Sequence, residues 1–125
     1  MFPFRVQIKP GAPVYEQVVY AAQKAVLKGQ LKPGSRFPSV RQLSQELRIN
    51  PNTAHKIVAH LTSEGLLGVQ PGIGTVVLKP ARASSEDRSA LLKDDLEHLV
   101  VEAKGLSITL SEITRALEQH WEKIS

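Results

Sequence analysis

Residues 37–75, FPSVRQLSQELRINPNTAHKIVAHLTSEGLLGVQPGIGT, decide the fold. Ser39 precedes a run in which Val40, Leu43 and Leu47 recur at helical spacing, and a hydroxyl at that place satisfies an otherwise orphaned backbone N–H of the first turn. Arg48 and Ile49 make a turn. Asn50 caps the next helix, with Pro51 at its first position, where the missing N–H costs nothing. Ala54, Ile57, Val58 and Leu61 form its inward stripe, and it ends near Glu64 and Gly65. Leu67–Gln70 and Thr75–Leu78 then read as two short strands around Pro71, Gly72, Ile73 and Gly74. So small a hairpin is unstable alone and needs the helices to pack against it.

Toward the N-terminus, Val14, Val18, Ala21, Ala22, Ala25 and Val26 recur close to every 3.6 residues, which predicts an amphipathic helix from Val14 to about Lys28, closed by Gly29. The segment GQLKPGSRFPS that follows holds two prolines and two glycines and reads as a loop. Residues 1–12 are a short arm in which Phe4, Val6 and Ile8 alternate with Arg5 and Gln7, so a brief extended segment is expected. Toward the C-terminus, PARASS (80–85) is a linker whose small and polar residues bury nothing. A helix from about Glu86 to Lys104 carries Leu91, Leu92, Leu96, Leu99, Val100 and Ala103 on one face and stops at Gly105. The last helix opens with a capping box, Thr109 to Glu112, and continues through Leu110, Ile113, Leu117, Trp121 and Ile124. Two amphipathic helices do not enclose a core, so their apolar faces need a partner.

The order of elements gives a mainly α fold with a small β-hairpin. Residues 1–79 read as a winged helix-turn-helix domain including the arm 1–12, residues 80–85 as the linker, and residues 86–125 as a two-helix dimerisation module. In that module Leu92, Leu96, Leu99, Leu110, Ile113, Leu117 and Trp121 are the expected seam, which favours a homodimer over an intramolecular cap because the linker separates them from the first core.

Charge distribution narrows the function. Residues 1–80 carry ten Lys/Arg against three acids, a net +7, whereas residues 81–125 carry six against nine, a net −3. A basic front half suits a polyanion and an acidic back half suits protein or solvent. The absence of cysteine excludes disulfides, thiolate metal sites and a thiol nucleophile. No run approaches the roughly 18 apolar residues of a membrane helix, and no signal-peptide core is present, so the expected location is the cytoplasm with no membrane partner. No Ser/His/Asp set, phosphate-binding glycine loop or carboxylate pair with a cleft is evident, which argues against an enzyme; GIGT lies between strands rather than opening a helix. Asp94 and His98 lie four apart and His120 is on the last helix, yet no three-ligand cluster emerges, so neither metal nor cofactor is expected. A winged helix used for protein interaction or RNA binding is the competing reading. It predicts a neutral or acidic face around Asn50 to Lys56, whereas the nearby charges are Arg41, Arg48 and Lys56 against Glu46.

VYEQVVYAAQKAVLKGQLKPGSRFPSVRQLSQEL, INPNT, LTSEGLL and GIGTVVL together resemble the GntR family of bacterial transcription regulators, in particular its short YtrA-like subgroup. The resemblance covers residues 5–79 and extends into the two closing helices, whose length suits the subgroup. It implies a DNA-binding winged helix followed by a small helical module that dimerises and sometimes senses a ligand, here a small-molecule effector of unknown identity. It also implies a repressor on an inverted-repeat operator near its own gene, often beside ABC-transporter genes. By the same resemblance Pro38, Ser39 and Arg41 match the start of the second helix, where the Arg contacts DNA. Asn50, Asn52 and Thr53 match the start of the recognition helix, whose N–H groups and dipole suit a phosphate. Asn52 is a candidate adenine reader. Lys56 and Arg36 are candidate phosphate contacts, and Gly72, Gly74 and Thr75 lie at the wing that enters the minor groove. His55 departs from the Arg or other polar donor of many relatives, and neutral His offers one donor. Arg48 departs from the small residue common in the turn, which implies a different turn or a tolerated strain.

Overall fold

The computed structural model describes residues 2–80 and 83–124, and its chain divides into two compact units, residues 1–80 and 81–125. In the first unit, helix α1 (Val14–Leu27) buries Val18, Val19, Ala22 and Ala25; α2 (Val40–Leu47) buries Leu43; and α3 (Pro51–Ser63) buries Ala54, Ile57 and Leu61. These side chains meet Leu31, Phe37, Leu67 and Val77 in one almost wholly aliphatic core. Each fully buried Leu or Ile contributes roughly 1.5–3 kcal/mol relative to exposure. Val58, predicted to point inward, is half-buried at the edge, and Val19 joins the core without having stood in the predicted stripe.

Local capping chemistry sets the helix ends. Ser39 Oγ accepts the Gln42 N–H at 3.1 Å while Gln42 Oε1 accepts the Ser39 N–H at 3.0 Å, a reciprocal capping box. Asn50 Oδ1 accepts the Asn52 N–H at 2.8 Å. Between them Arg48 takes a left-handed conformation, φ 53° and ψ 48°, so the turn is the tight left-handed one with a non-glycine residue in it. One polar tie and a ring contact fix α3 on α1: Gln23 Nε2 donates to Glu64 Oε1 at 2.9 Å, and the Tyr15 and His60 rings meet edge to face at 5.5 Å; His60 Nε2 lies 3.2 Å from that same Glu64 oxygen, one turn away at the end of α3.

Strands β1 (Leu67–Gln70) and β2 (Gly74–Val77) pair antiparallel, with Leu67 opposite Val77 and Gln70 opposite Gly74. The second strand thus begins one residue before the expected Thr75, because the four-residue register closes on Gly74. A larger difference lies in the stretch read as pure loop. Ser35–Phe37 pairs with the free edge of β2: Arg36 bridges Val76, the Val77 N–H donates to the Ser35 carbonyl at 2.8 Å, and the Phe37 N–H donates to the Thr75 carbonyl at 2.9 Å. Leu31 and Phe37, both buried, anchor this segment at either side.

The arm also differs from expectation. Its described residues form no strand; Phe4 is buried, its ring 4.8 Å from Phe2 and 5.7 Å from Phe37, while Ile8 is exposed. Gln17 of α1 clamps it, accepting the Lys9 N–H at 2.8 Å and donating to the Lys9 and Ala12 carbonyls at 2.8 and 2.9 Å.

In the second unit, α4 (Ser85–Ser89) leads through a π-helical stretch, Ala90–Asp95, into α5 (Leu96–Gly105), and α6 (Leu110–Ile124) follows. Ser84 caps α4 by accepting the Asp87 N–H at 3.1 Å, so helix begins one residue before the expected Glu86; Ala81 and Arg82 of the expected linker lie outside the described residues. The single uniform helix expected there is interrupted, since the wider stretch inserts an extra residue and turns Leu91 and Leu92 relative to Leu96 and Leu99. Gly105 is not the left-handed stop; it stays helical and Ser107 takes φ 59°, with the Ile108 N–H donating to the Ala103 carbonyl at 2.9 Å. In α6, Thr109 Oγ1 accepts the Glu112 N–H at 3.1 Å. Ala103 is the one buried hydrophobic residue of this unit among the described residues. Among those residues no helix is long and apolar enough to cross a membrane.

Candidate nucleic-acid interface

Successive residues of an α-helix turn by about 100°, so on α3 the positions Asn52, His55, Lys56 and Ala59 share a face opposite Ala54, Ile57 and Leu61. All four are exposed while the three opposite are buried. The burial of one face therefore dictates which side chains α3 offers outward. Thr53 lies off that face and is half-buried. At the helix start Asn50 spends its carbonyl oxygen on the cap, leaving its amide NH₂ as donor, and Pro51 has no N–H to offer. The remaining first-turn N–H groups and the positive end of the helix dipole are the anion-attracting feature there.

Arg41 is exposed on the first turn of α2 and Arg48 is exposed in the turn that joins α2 to α3. With Lys56 on the outward face of α3 they give residues 36–56 three exposed cations besides Arg36, and Glu46 is the one acidic residue between Arg36 and Lys56.

A second cluster lies between the start of α2 and the wing. A groove of about 520 Å³ is lined by Arg36, Ser39, Gln42, Ile73, Gly74 and Thr75, with Pro3 of the arm at its edge. Arg36, Ser39, Gly74 and Thr75 were each singled out from sequence, and pairing of Ser35–Phe37 with β2 is what brings them together. Gln42, Ile73 and Pro3 were missed. For Gln42 the signal existed, since Ser-x-x-Gln at residues 39–42 is a capping-box pattern. At the tip Gly72 has φ 79° and Gly74 φ 111°, values costly for residues with a Cβ, although space around both is open. These glycines give the turn its shape and leave its backbone uncovered. Among the described residues no group of three His, Asp or Glu side chains is placed to hold a metal ion.

Three helices with a short turn between the second and third, followed by a hairpin braced by a third pairing, constitute a winged helix-turn-helix, the DNA-binding module of transcription regulators. The profile "Bacterial regulatory proteins, gntR family" matches residues 14–77. The HTH-type transcriptional repressor YtrA of Bacillus subtilis (strain 168) is 32% identical over 86% of this chain and 85% of its own length. The chain belongs to the GntR family. Among solved structures, a transcriptional antiterminator from Listeria monocytogenes EGD-e superposes with a TM-score of 0.84 at 25% identity, covering 97% of this chain and 91% of its own. YtrA from Sulfolobus acidocaldarius, a GntR-family transcription factor, gives 0.55 at 25% identity over 95% and 97%. The chain is a transcription regulator with a DNA-binding helix-turn-helix, not an enzyme.

Proposed function

We propose that the chain is a cytoplasmic, homodimeric repressor that reads a near-palindromic DNA operator. The exposed face of α3 carries this reading: Asn52, His55 and Lys56 point outward together, and Arg41 and Arg48 are exposed on α2 and the turn before α3. In the proposed complex α3 enters the major groove, where the Asn52 amide donates to and accepts from an adenine edge. Arg36, Arg41, Lys56 and the hydroxyl of Thr53 meet phosphates, and the Gly72–Gly74 tip with Thr75 approaches the minor groove. Repression follows from occupying the promoter.

The dimer is supported by the second unit. Leu92, Leu96, Leu99, Leu110, Leu117 and Trp121 are between 42% and 80% exposed, more apolar surface than a free helix pair keeps in water. Ile113 is half-buried beside them. A second copy covers that surface, and its two-fold axis sets two α3 helices about 34 Å apart, one turn of DNA. Residues 1–79 act as the DNA-binding domain and 86–125 as the dimerisation module.

The test is a titration of duplex from upstream of the protein's own gene across salt concentrations. If Arg36, Arg41 and Lys56 of both protomers each neutralise a phosphate, log K falls against log salt with a slope of about −5. Binding no tighter than to random duplex, with no salt dependence, refutes the proposal. The competing protein-interaction or RNA reading gains if a structured RNA outcompetes the duplex.

A further inference from the structure

On the side of α1 away from α3 the structure holds a second, strongly basic groove. It has a volume of about 420 Å³, within the range of small-ligand sites, and lies between the arm and α1. Arg5, Lys9, Lys24 and Lys28 line it, Tyr20 forms one wall, and no carboxylate lines it. Among the described residues none of these four cations has an ion-pair partner; the pair given above, His60 with Glu64, is elsewhere. Gathering four positive charges around one hollow without a counter-charge opposes folding through self-repulsion, so packing does not explain the arrangement. The hollow is also built rather than accidental. The three Gln17 hydrogen bonds to Lys9 and Ala12 hold the arm against α1 and define one rim.

The groove is separate from the α3 surface. Tyr15 and Gln23 point from α1 toward His60 and Glu64 of α3. By helical rotation Gln17, Tyr20, Lys24 and Lys28 lie roughly 145° further round α1. A duplex seated on the outward face of α3 is therefore on the other side of α1.

The geometry points to a binding site for a phosphate-bearing small molecule in the groove lined by Arg5, Lys9, Lys24 and Lys28, with Tyr20, 60% exposed, as a stacking wall for an attached ring. Four ammonium and guanidinium groups suit a doubly or triply charged phosphate ester, and the guanidinium of Arg5 can engage two of its oxygens at once. The phenol ring suits a planar substituent such as a nucleobase.

The full chain is titrated with pyrophosphate and with ADP while backbone amide shifts are followed by NMR. The expected result is saturable binding of both, with shifts concentrated on residues 5–9 and 20–28. Lys24→Glu with Lys28→Glu weakens both probes by about tenfold or more, with the thermal midpoint retained. ADP binds more tightly than pyrophosphate, and Tyr20→Ala removes that difference; equal affinities keep the phosphate site and overturn the ring wall. No saturation up to roughly 10 mM overturns the proposal. So do shifts centred on residues 51–53, or displacement of the probe by operator duplex, which would make the groove part of the DNA surface. Polyglutamate binding more tightly than pyrophosphate overturns it in favour of an acidic protein segment.

Discussion

Replacing Arg48 by glycine should stabilise the protein. Arg48 holds φ 53° and ψ 48° at the end of α2, is exposed, and donates its backbone N–H to the Ser44 carbonyl. A left-handed conformation costs a residue with a Cβ roughly 1–2 kcal/mol, whereas glycine adopts it freely but loses roughly 0.5–1 kcal/mol more backbone entropy on folding. The difference leaves a gain of about 0.5–1 kcal/mol. For a cooperative unit of residues 1–80 the unfolding entropy is about 0.17 kcal/mol per kelvin, so the midpoint rises by about 3–6 °C. Arg48→Ala is the control: it removes the same charge and side chain but keeps the Cβ, and should stay within about 0.5 kcal/mol of the parent. Circular dichroism melts of the three proteins at one matched concentration read the effect, since a dimer's midpoint moves with concentration. Arg48→Gly no more stable than Arg48→Ala would refute the assignment of strain to this turn.

Phe4→Ala should cost about 3–5 kcal/mol in urea unfolding, because the ring is 5% exposed and stacks on Phe37; a cost below about 1 kcal/mol would return the arm to the surface. Asn52→Ala should weaken operator binding by about 1–3 kcal/mol, and Arg41→Ala should weaken it alike across sequences and lessen the salt slope by about 2 for the two protomers, both with unchanged circular dichroism; an unfolded Arg41→Ala protein would make that residue structural. Leu117→Ala combined with Trp121→Ala should sediment as monomer; a protein still dimeric after both changes moves the interface off α6.

Elements whose signals are local were legible. Ser39, Asn50 and Pro51 announce the starts of α2 and α3, Gly29 the end of α1, and the Gly72–Gly74 tip the wing. The outward face of α3 follows from its inward one. Signals failed where several backbone choices were open. Gly105 looked like a helix stop, yet the chain tolerates one further residue and turns left-handed at Ser107. The π-helical stretch at Ala90–Asp95 has no pattern that periodicity detects.

By itself the sequence determined three capped helices, a hairpin, a basic front half and two apolar-striped closing helices, because capping and helical periodicity act within about four residues along the chain. Only the tertiary structure decided that Phe4 leaves the arm to join the core, that Arg36 bridges Val76 and so closes one groove with Ser39 and Thr75, and that Gln17 folds the arm over α1 to shape the other. Each of these contacts joins residues far enough apart in the chain that loop closure must be completed before the contact rewards it. Their stabilisation comes from packing and backbone pairing that no local pattern records.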